Sequence, residues 1–544
     1  MATIESMLAG KRILAIDDLV ESRSSMKKML QILGADEVDI AMDGDEATNY
    51  ILHTDYDLVI SDYNLGKGRD GQQILEEARF THRLKAVSTF VMLTGENAMD
   101  MVMGAVEYEP DDYVTKPFTI DVMRKRLTRI LSTKEELKPI NEAIDAQNYK
   151  EVLARCDELL VEKPRLANRI LRIKGRTLLR LKQYKKALAL YQLILAEREI
   201  SWALLGKAVS LFYLQELDKS KEVLQYTIKL HPKYVQCFDY LAKIQIQQKD
   251  LEAAQMTLRD ATKVSPKQVL RQMELGRIAF ANKDMAVAES AFRQSVKLAR
   301  HSCYKSVKTY LMFAKSVQHK ISPKNTRDTR TASQEAFRTM DEVKNTYKDN
   351  PEYSLEATLI ESTTYTNLGK DIDAKLKADE AGEILKKIKQ PSPAHQLAMA
   401  NTYIATKQHA KAQDLLGELT NREDLSNSEL RELNRTKEEI SETVVREYTT
   451  EINDQAIEYF ERGQLSQAIE LFDKATAYKE AGIAVLLNAI QAKITYMDQR
   501  SAEPKMAKEV NELLSRLGNL PESDERHGRW LQLKKSQQRI MRAL

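Results

Sequence analysis

The first 120 residues alternate short apolar runs with amphipathic stretches. Ile13-Leu14-Ala15-Ile16, Leu58-Val59-Ile60-Ser61, Phe90-Val91-Met92-Leu93 and Tyr113-Val114-Thr115 are near-continuous in apolar character. That is how strands buried on both faces read, and the helical spacing between them predicts a parallel α/β sheet. Each run ends in a polar residue: Asp17-Asp18, Asp62, Thr94 and Lys116-Pro117. Ligands of such sheets bind outside the carboxyl ends of the strands. The pattern therefore predicts that three acids, a hydroxyl and an amine converge at one edge.

After Glu135 the pattern becomes helical and repeats itself. A small residue recurs at Ala187, Ser220, Ala254 and Ala288, at spacings of 33, 34 and 34, and four residues later stand Tyr191, Leu224, Leu258 and Phe292. Pro232 and Pro266, 34 apart, fall where a second helix would end. Turn-like pairs precede the small residues (Gln183-Tyr184, Glu216-Leu217, Asp250-Leu251, Asp284-Met285), while Lys174-Gly175 and Leu275-Gly276 mark close packing in first helices. Small residues let two antiparallel helices approach, and each pair buries its face only against the next. Ile321-Ser322-Pro323-Lys324-Asn325-Thr326 interrupts the pattern as a loop.

The edge of the first region carries the chemistry. Three adjacent carboxylates repel one another unless a cation joins them. A hard cation such as Mg²⁺ takes oxygen ligands and bridges carboxylates and phosphate oxygens. An aspartate can also act as a nucleophile toward phosphorus. Lys116 would neutralise phosphoryl charge and Thr94 would bond a phosphoryl oxygen. Gly95 leaves its amide accessible to such an oxygen, and Pro117 permits a cis bond after Lys116.

Residues 11 to about 131 resemble the receiver domain of two-component response regulators, of the chemotaxis-regulator type. The resemblance lies in Asp17-Asp18, Asp62-Tyr63-Asn64, Asp70-Gly71, Thr94-Gly95-Glu96 and Tyr113-x-x-Lys116-Pro117-Phe118. It implies a flavodoxin-like α/β fold with five parallel strands. It also implies that Asp62 accepts phosphate from a histidine kinase or phosphotransfer protein. Asp18, Asp62 and the Asn64 carbonyl would ligate Mg²⁺, Asp17 would act through water, and Thr94 with Tyr113 would form the switch pair. Asn64 and Glu96 flank the site where receivers tune phosphate lifetime. One departure stands out: the usual Met-Pro after the acceptor is Leu65-Gly66, and the loop to Asp70-Gly71 is longer than common by about one residue. No acid and no lysine of the pattern is missing.

The later region resembles the tetratricopeptide repeat, an all-α solenoid whose period is 34 residues. Residues 269–302 and 448–481 fit best, 168–201 and 235–268 well, 393–423 fairly, and 138–165 as a half-formed opening repeat. Segment 202–234 reads as carrying two extra residues in its first helix, and 303–350 and 352–390 fit weakly. The expected organisation is a receiver over 1–132, a helical linker over 133–147, a solenoid of about eight to ten repeats over 148–500, and a helical cap over 501–544. The resemblance implies a groove lined by first helices that binds a protein target. Asn401, Gln245, Lys207, Lys243 and Arg277 lie at first-helix positions, although a solvated surface explains polar residues there equally well. A charged loop is the simpler account of Lys315, His319, Lys320, Lys324, Arg327 and Arg330.

Composition narrows the functional classes. In 544 residues there are only 18 Gly and 12 Pro, as suits a mostly helical, multidomain chain. Residues 1–133 hold 15 Lys+Arg against 23 Asp+Glu, leaving 68 against 57 for the rest. Opposite signs favour docking of the two regions or steering of an acidic partner. The excess is too dilute to favour nucleic acid. Cys156, Cys237 and Cys303 follow no metal spacing and read as small buried hydrophobes in a reducing compartment. The chain shows neither a signal-peptide pattern nor a membrane-length apolar run, which predicts a cytoplasmic protein. The expected function is a response regulator whose output is protein binding, by release of the groove or by dimerisation. No enzyme activity is expected beyond phosphorylation and dephosphorylation of its own aspartate. Two alternatives stay open: a constitutive scaffold with an accessory receiver, and a transcription regulator whose repeats touch nucleic acid.

Overall fold

A computed structural model describes residues 3–95, 110–478, 481–500 and 503–543. The chain folds into two compact units, with the boundary falling after Val343 and not at the end of the α/β region. Residues 322–324 group with the second unit.

In the first unit the chain runs α1 (Ile4–Leu8), β1 (Arg12–Ile16), α2 (Val20–Ile32), β2 (Glu37–Ala41), α3 (Gly44–His53), β3 (Leu58–Asp62), α4 (Gly71–Phe80), β4 (Thr89–Gly95), β5 (Asp112–Lys116) and α5 (Ile120–Glu136). Among the described residues the five strands form one parallel sheet in the order β2-β1-β3-β4-β5. Ile13, Leu58, Ile60, Val91 and Leu93 bury one face beneath α1, α2 and α5. Leu14, Ile16, Val59, Phe90 and Met92 bury the other beneath α3 and α4. Two-sided burial is why these strands read as unbroken apolar runs.

The helical part of this unit continues as α6 (Lys138–Asp145), α7 (Tyr149–Glu162), α8 (Ala167–Arg180), α9 (Tyr184–Glu197), α10 (Ser201–Tyr213), α11 (Leu217–Leu230), α12 (Gln236–Gln247), α13 (Leu251–Val264), α14 (Val269–Ala281), α15 (Met285–Ala299), α16 (Val307–Val317) and α17 (Arg327–Thr346), the last crossing the unit boundary. The expected small residues Ala187, Ser220, Ala254 and Ala288 are fully buried. The Tyr191 ring sits so close to Gly175 and Gly206 that a Cβ at either would overlap it. Helix hairpins turn through a residue with positive φ, namely Gln147, Lys182, Gln215, Lys249 and Lys283. The turn-like pairs of the sequence are the N-cap and first residue of the helix that follows.

Segment 202–234 departs from expectation. Its first helix, α10, has 13 residues, as α14 has, so no extra residues are present. The turn residues Lys182 and Gln215 are in fact one residue closer than Lys249 and Lys283. Gln215, being neither Gly nor Asn, does not announce itself as a turn.

The α/β region is held against the near end of the helical region. Asp145 accepts hydrogen bonds from the Ala86 and Val87 amides at 2.6 and 3.2 Å, and Lys134 donates to the Ala86 and Ser88 carbonyls at 2.8 and 2.7 Å.

The second unit contains α18 (Pro351–Asn367), α19 (Asp371–Lys387), α20 (Pro393–Ala405), α21 (His409–Thr420), α22 (Asn427–Glu461), α23 (Leu465–Thr476), α24 (Ile483–Gln499), α25 (Pro504–Leu517) and α26 (His527–Ala543). Helices α18 and α19 form a close hairpin in which the Ser362 hydroxyl donates to the Ala374 carbonyl at 2.8 Å. This segment fits the 34-residue pattern poorly because each helix has 17 residues. Trp530, Leu533 and Ile540 of α26 pack with Leu487, Ile490 and Val510 in the terminal core.

Candidate functional site

Strands β1, β3, β4 and β5 end along one edge, and their polar residues meet there. Asp17 is fully buried, Asp62 half-buried and Asp18 exposed. One carboxylate oxygen from each lies within 4.8 Å of the others. The Lys116 ammonium donates to Asp17 Oδ2 at 2.7 Å and to Asp62 Oδ2 at 2.8 Å. The other Asp17 oxygen accepts from the Leu19 amide at 3.0 Å, and Arg23 donates to the Asp17 carbonyl at 2.6 Å. The buried aspartate is thus fixed in place, while Asp18 faces the crevice.

Burial raises the Asp62 carboxyl above the ordinary range; Lys116 opposes this and the charge of Asp17 adds to it. For Lys116 burial works against the ammonium, but its hydrogen bonds to Asp17 and Asp62 outweigh that and hold it above the ordinary lysine range. Two acids sharing one ammonium in a partly dry crevice make a cluster that a further cation would complete.

Thr94 is fully buried on β4, and among the described residues its hydroxyl has no hydrogen-bond partner. A buried unpaired hydroxyl costs free energy, so its presence needs a reason. The β4–β5 register sets Met92 beside Tyr113 and Thr94 beside Thr115, which places Thr94 and Tyr113 on one face of the sheet. Tyr113 is half-buried against the core cluster on that face. Gly95 is exposed, and among the described residues a Cβ there would meet no atom within 4 Å. The Lys116-Pro117 bond is cis. Asn64 is exposed just past Asp62, and Glu96 lies outside the described residues.

The loop after Asp62 is built tightly. Gly66 and Gly68 have φ of +73° and +98°, conformations that favour glycine, and this is how the loop turns without Met-Pro. Asp70 caps α4 in a capping box with Gln73. The Gly71 amide donates to the Tyr63 carbonyl at 3.0 Å. A Cβ at Gly71 would overlap the Asp62 carbonyl and come within 2.9 Å of Met92 Sδ and Ser61 Oγ. Helix α4 is therefore stacked on the backbone of Asp62.

Lys267 was not foreseeable at this site. It follows Pro266 in a repeat turn, yet its ammonium lies 3.4 Å from Asp70 Oδ2 and 4.9 Å from the centre of the Tyr63 ring.

The groove residues mostly have local partners. Arg277 pairs with Glu274 at 2.6 Å, Asn401 donates to Glu432 at 3.4 Å, Lys243 sits over the Tyr240 ring, and Gln245 is buried. First helices α8, α10, α12 and α14 line a cavity of about 690 Å³ that includes Lys243, Trp202 and Arg271. Arg271 is held by Asp239 at 2.7 and 2.8 Å. In the loop at 318–326, Lys320 pairs with Glu289 at 2.6 Å.

Both regions of the chain match known families. Residues 13–128 match the response regulator receiver domain, and residues 241–302 match the tetratricopeptide repeat. The chemotaxis protein CheY of Pseudomonas aeruginosa is 30% identical over 119 residues, 22% of this chain and 94% of that protein. CheY-3 of Vibrio cholerae is 29% identical, over 22% of this chain and 90% of that protein. A receiver domain structure from Clostridium thermocellum is 26% identical, covers 23% of this chain and 98% of its own, and has a TM-score of 0.21. Among the described residues no helix is long and apolar enough to cross a membrane. The chain belongs to the response regulators, with a CheY-like receiver at its N-terminus and tetratricopeptide repeats after it.

Proposed function

We propose that this chain is a phosphorelay regulator in the cytoplasm whose repeats are its output. The observation that carries this reading is the cluster of Asp17, Asp18, Asp62 and Lys116 at the carboxyl edge of a parallel sheet, together with Thr94, whose buried hydroxyl has no partner among the described residues. An Asp62 oxygen attacks the phosphorus of a phosphohistidine on a kinase or phosphotransfer protein. The nitrogen–phosphorus bond breaks and the imidazole leaves with the electron pair. Lys116 would neutralise charge on the transferred group, and the Thr94 hydroxyl would donate to a phosphoryl oxygen.

The residues fit Mg²⁺: three oxygen donors lie close together, and both oxygens of Asp17 already accept hydrogen bonds, which suits a contact through water. Asp18, Asp62 and the Asn64 carbonyl would hold the ion directly. When bound, it supplies charge neutralisation to the carboxylates and the phosphoryl oxygens. Thr94 turning toward the phosphoryl group makes room for Tyr113 on the same face. That change biases two pre-existing states of the receiver only by its differential interaction with them. The cavity lined by first helices is the surface through which a protein target would be bound.

The test uses full-length protein with Mg²⁺ and either a phosphoramidate donor or beryllofluoride. Label should appear on wild type and not on Asp62→Ala, and partners recovered with the mimic should differ from those recovered with Asp62→Ala. Label retained by Asp62→Ala, or the same partners in both, would contradict the proposal.

A further inference from the structure

Gln73, Glu76 and Phe80 are spaced to share one face of α4. All three meet the stretch 267–304 of the repeats within the same compact unit. The Gln73 amide donates to the Leu298 carbonyl at 3.4 Å. The Ser302 hydroxyl donates to Glu76, itself only 6% exposed, at 3.0 Å. The Phe80 and Tyr304 rings meet edge to face with centroids 5.6 Å apart. Lys267 completes the contact by touching Tyr63, at the start of the acceptor loop, and Asp70, at its end.

Two properties set this contact apart from ordinary packing. Among the described residues it includes an ion pair, a cation over a ring, two hydrogen bonds and a ring pair, polar contacts of the kind found in interfaces that open and close. It also rests on a helix that cannot move independently of Asp62, because Gly71 is packed against the Asp62 carbonyl and bonded to Tyr63.

We propose that the outer face of α4 is a docking surface for this chain's own repeats, and that Lys267 is a positioning residue tying the docking to the charge on Asp62. The inference rests on the reading of Asp62 as phosphoacceptor. Phosphorylation adds roughly one negative charge at the start of a loop whose two ends face Lys267. The ammonium is then held more strongly, so the phosphorylated receiver docks more tightly. By linkage, docking in turn favours the phosphorylated state to the same degree. The route to the repeats runs through α4 and does not need α5 or the linker.

The experiment compares full-length wild type with Lys267→Arg, Lys267→Met and Lys267→Glu. Hydrogen–deuterium exchange is followed over residues 71–80 and 296–304, with and without beryllofluoride and Mg²⁺, while fluorine NMR reports binding of the mimic. Exchange should be about threefold to tenfold faster in Lys267→Glu, intermediate in Lys267→Met and near wild type in Lys267→Arg. The mimic should slow exchange in wild type and Lys267→Arg but not in Lys267→Glu, whose half-saturating mimic concentration should rise by a similar factor. Equal exchange in all four proteins without the mimic overturns the docking. Binding of the mimic with no change over 71–80 overturns the coupling and leaves Asp62 as phosphoacceptor. Failure of wild type to bind the mimic overturns the reading of Asp62 itself, and shows in the same spectra.

Discussion

Replacing Thr94 with Val should make the receiver more stable and less able to be phosphorylated. Thr94 is fully buried and its hydroxyl is unpaired among the described residues. A buried polar group without a partner costs about 1–3 kcal/mol, and an apolar group of the same shape removes that cost. The lower end, about 1 kcal/mol, corresponds to roughly fivefold slower exchange of the most protected β3 and β4 amides, which read receiver stability inside the whole chain. Beryllofluoride should stabilise wild type further, because the hydroxyl then gains its acceptor, and should stabilise Thr94→Val less. Phosphorylation by a small-molecule donor should slow by about tenfold to a hundredfold. A less stable Thr94→Val protein would mean that the hydroxyl is paired in the native state. Equal stabilisation by the mimic in both proteins would mean that it never meets the phosphoryl group.

Gly71→Ala should lower the phosphorylation rate by about a hundredfold with circular dichroism unchanged, since relieving the overlap with the Asp62 carbonyl displaces the acceptor by about 1 Å; Gly417→Ala, with open space around it, is the control and should match wild type. Gly206→Ala should destabilise the repeats by about 1–2 kcal/mol in urea unfolding, overpacking against the Tyr191 ring outweighing the helix propensity gained. The sign should reverse in a Tyr191→Leu background, and the same sign in both would refute the packing argument. Burial, with Glu76 and Glu77 adding, pushes the Cys303 thiol up to about 12. At pH 8 only about one thiol in ten thousand is then thiolate, so reaction with a disulfide reagent should be slow and should rise tenfold per pH unit; a plateau near pH 9 would refute it.

The α/β edge was legible because strands buried on both faces leave continuous apolar runs, and the residue that ends each run marks the crevice. Asp17, Asp62 and Lys116 meet as those runs predict. The hairpins of the repeats were legible where a small residue sits under an aromatic one, as Gly175 does under Tyr191 and Gly276 under Phe292. They were obscure at 352–390, where longer helices stretch the period, and at Gln215, where a residue with no turn signature adopts positive φ. The contact of Lys267 with Asp70 left no trace at all. The partners lie 197 residues apart and are ordinary surface charges, and neither periodicity nor composition singles them out.

Contacts at Asp145 and at Ser302 give the first unit a property that a free repeat array lacks. An array of this kind is a chain of nearest-neighbour links, able to fray from either end one hairpin at a time. Here the receiver grips the array at α6 and again beyond α15, through bonds between residues as far as 226 apart in sequence, so the links close into a circuit. A broken link anywhere between Tyr149 and Ala299 then loosens both grips. Damage to one hairpin would be felt as a loss of cooperativity across the whole unit, and the receiver serves as its brace.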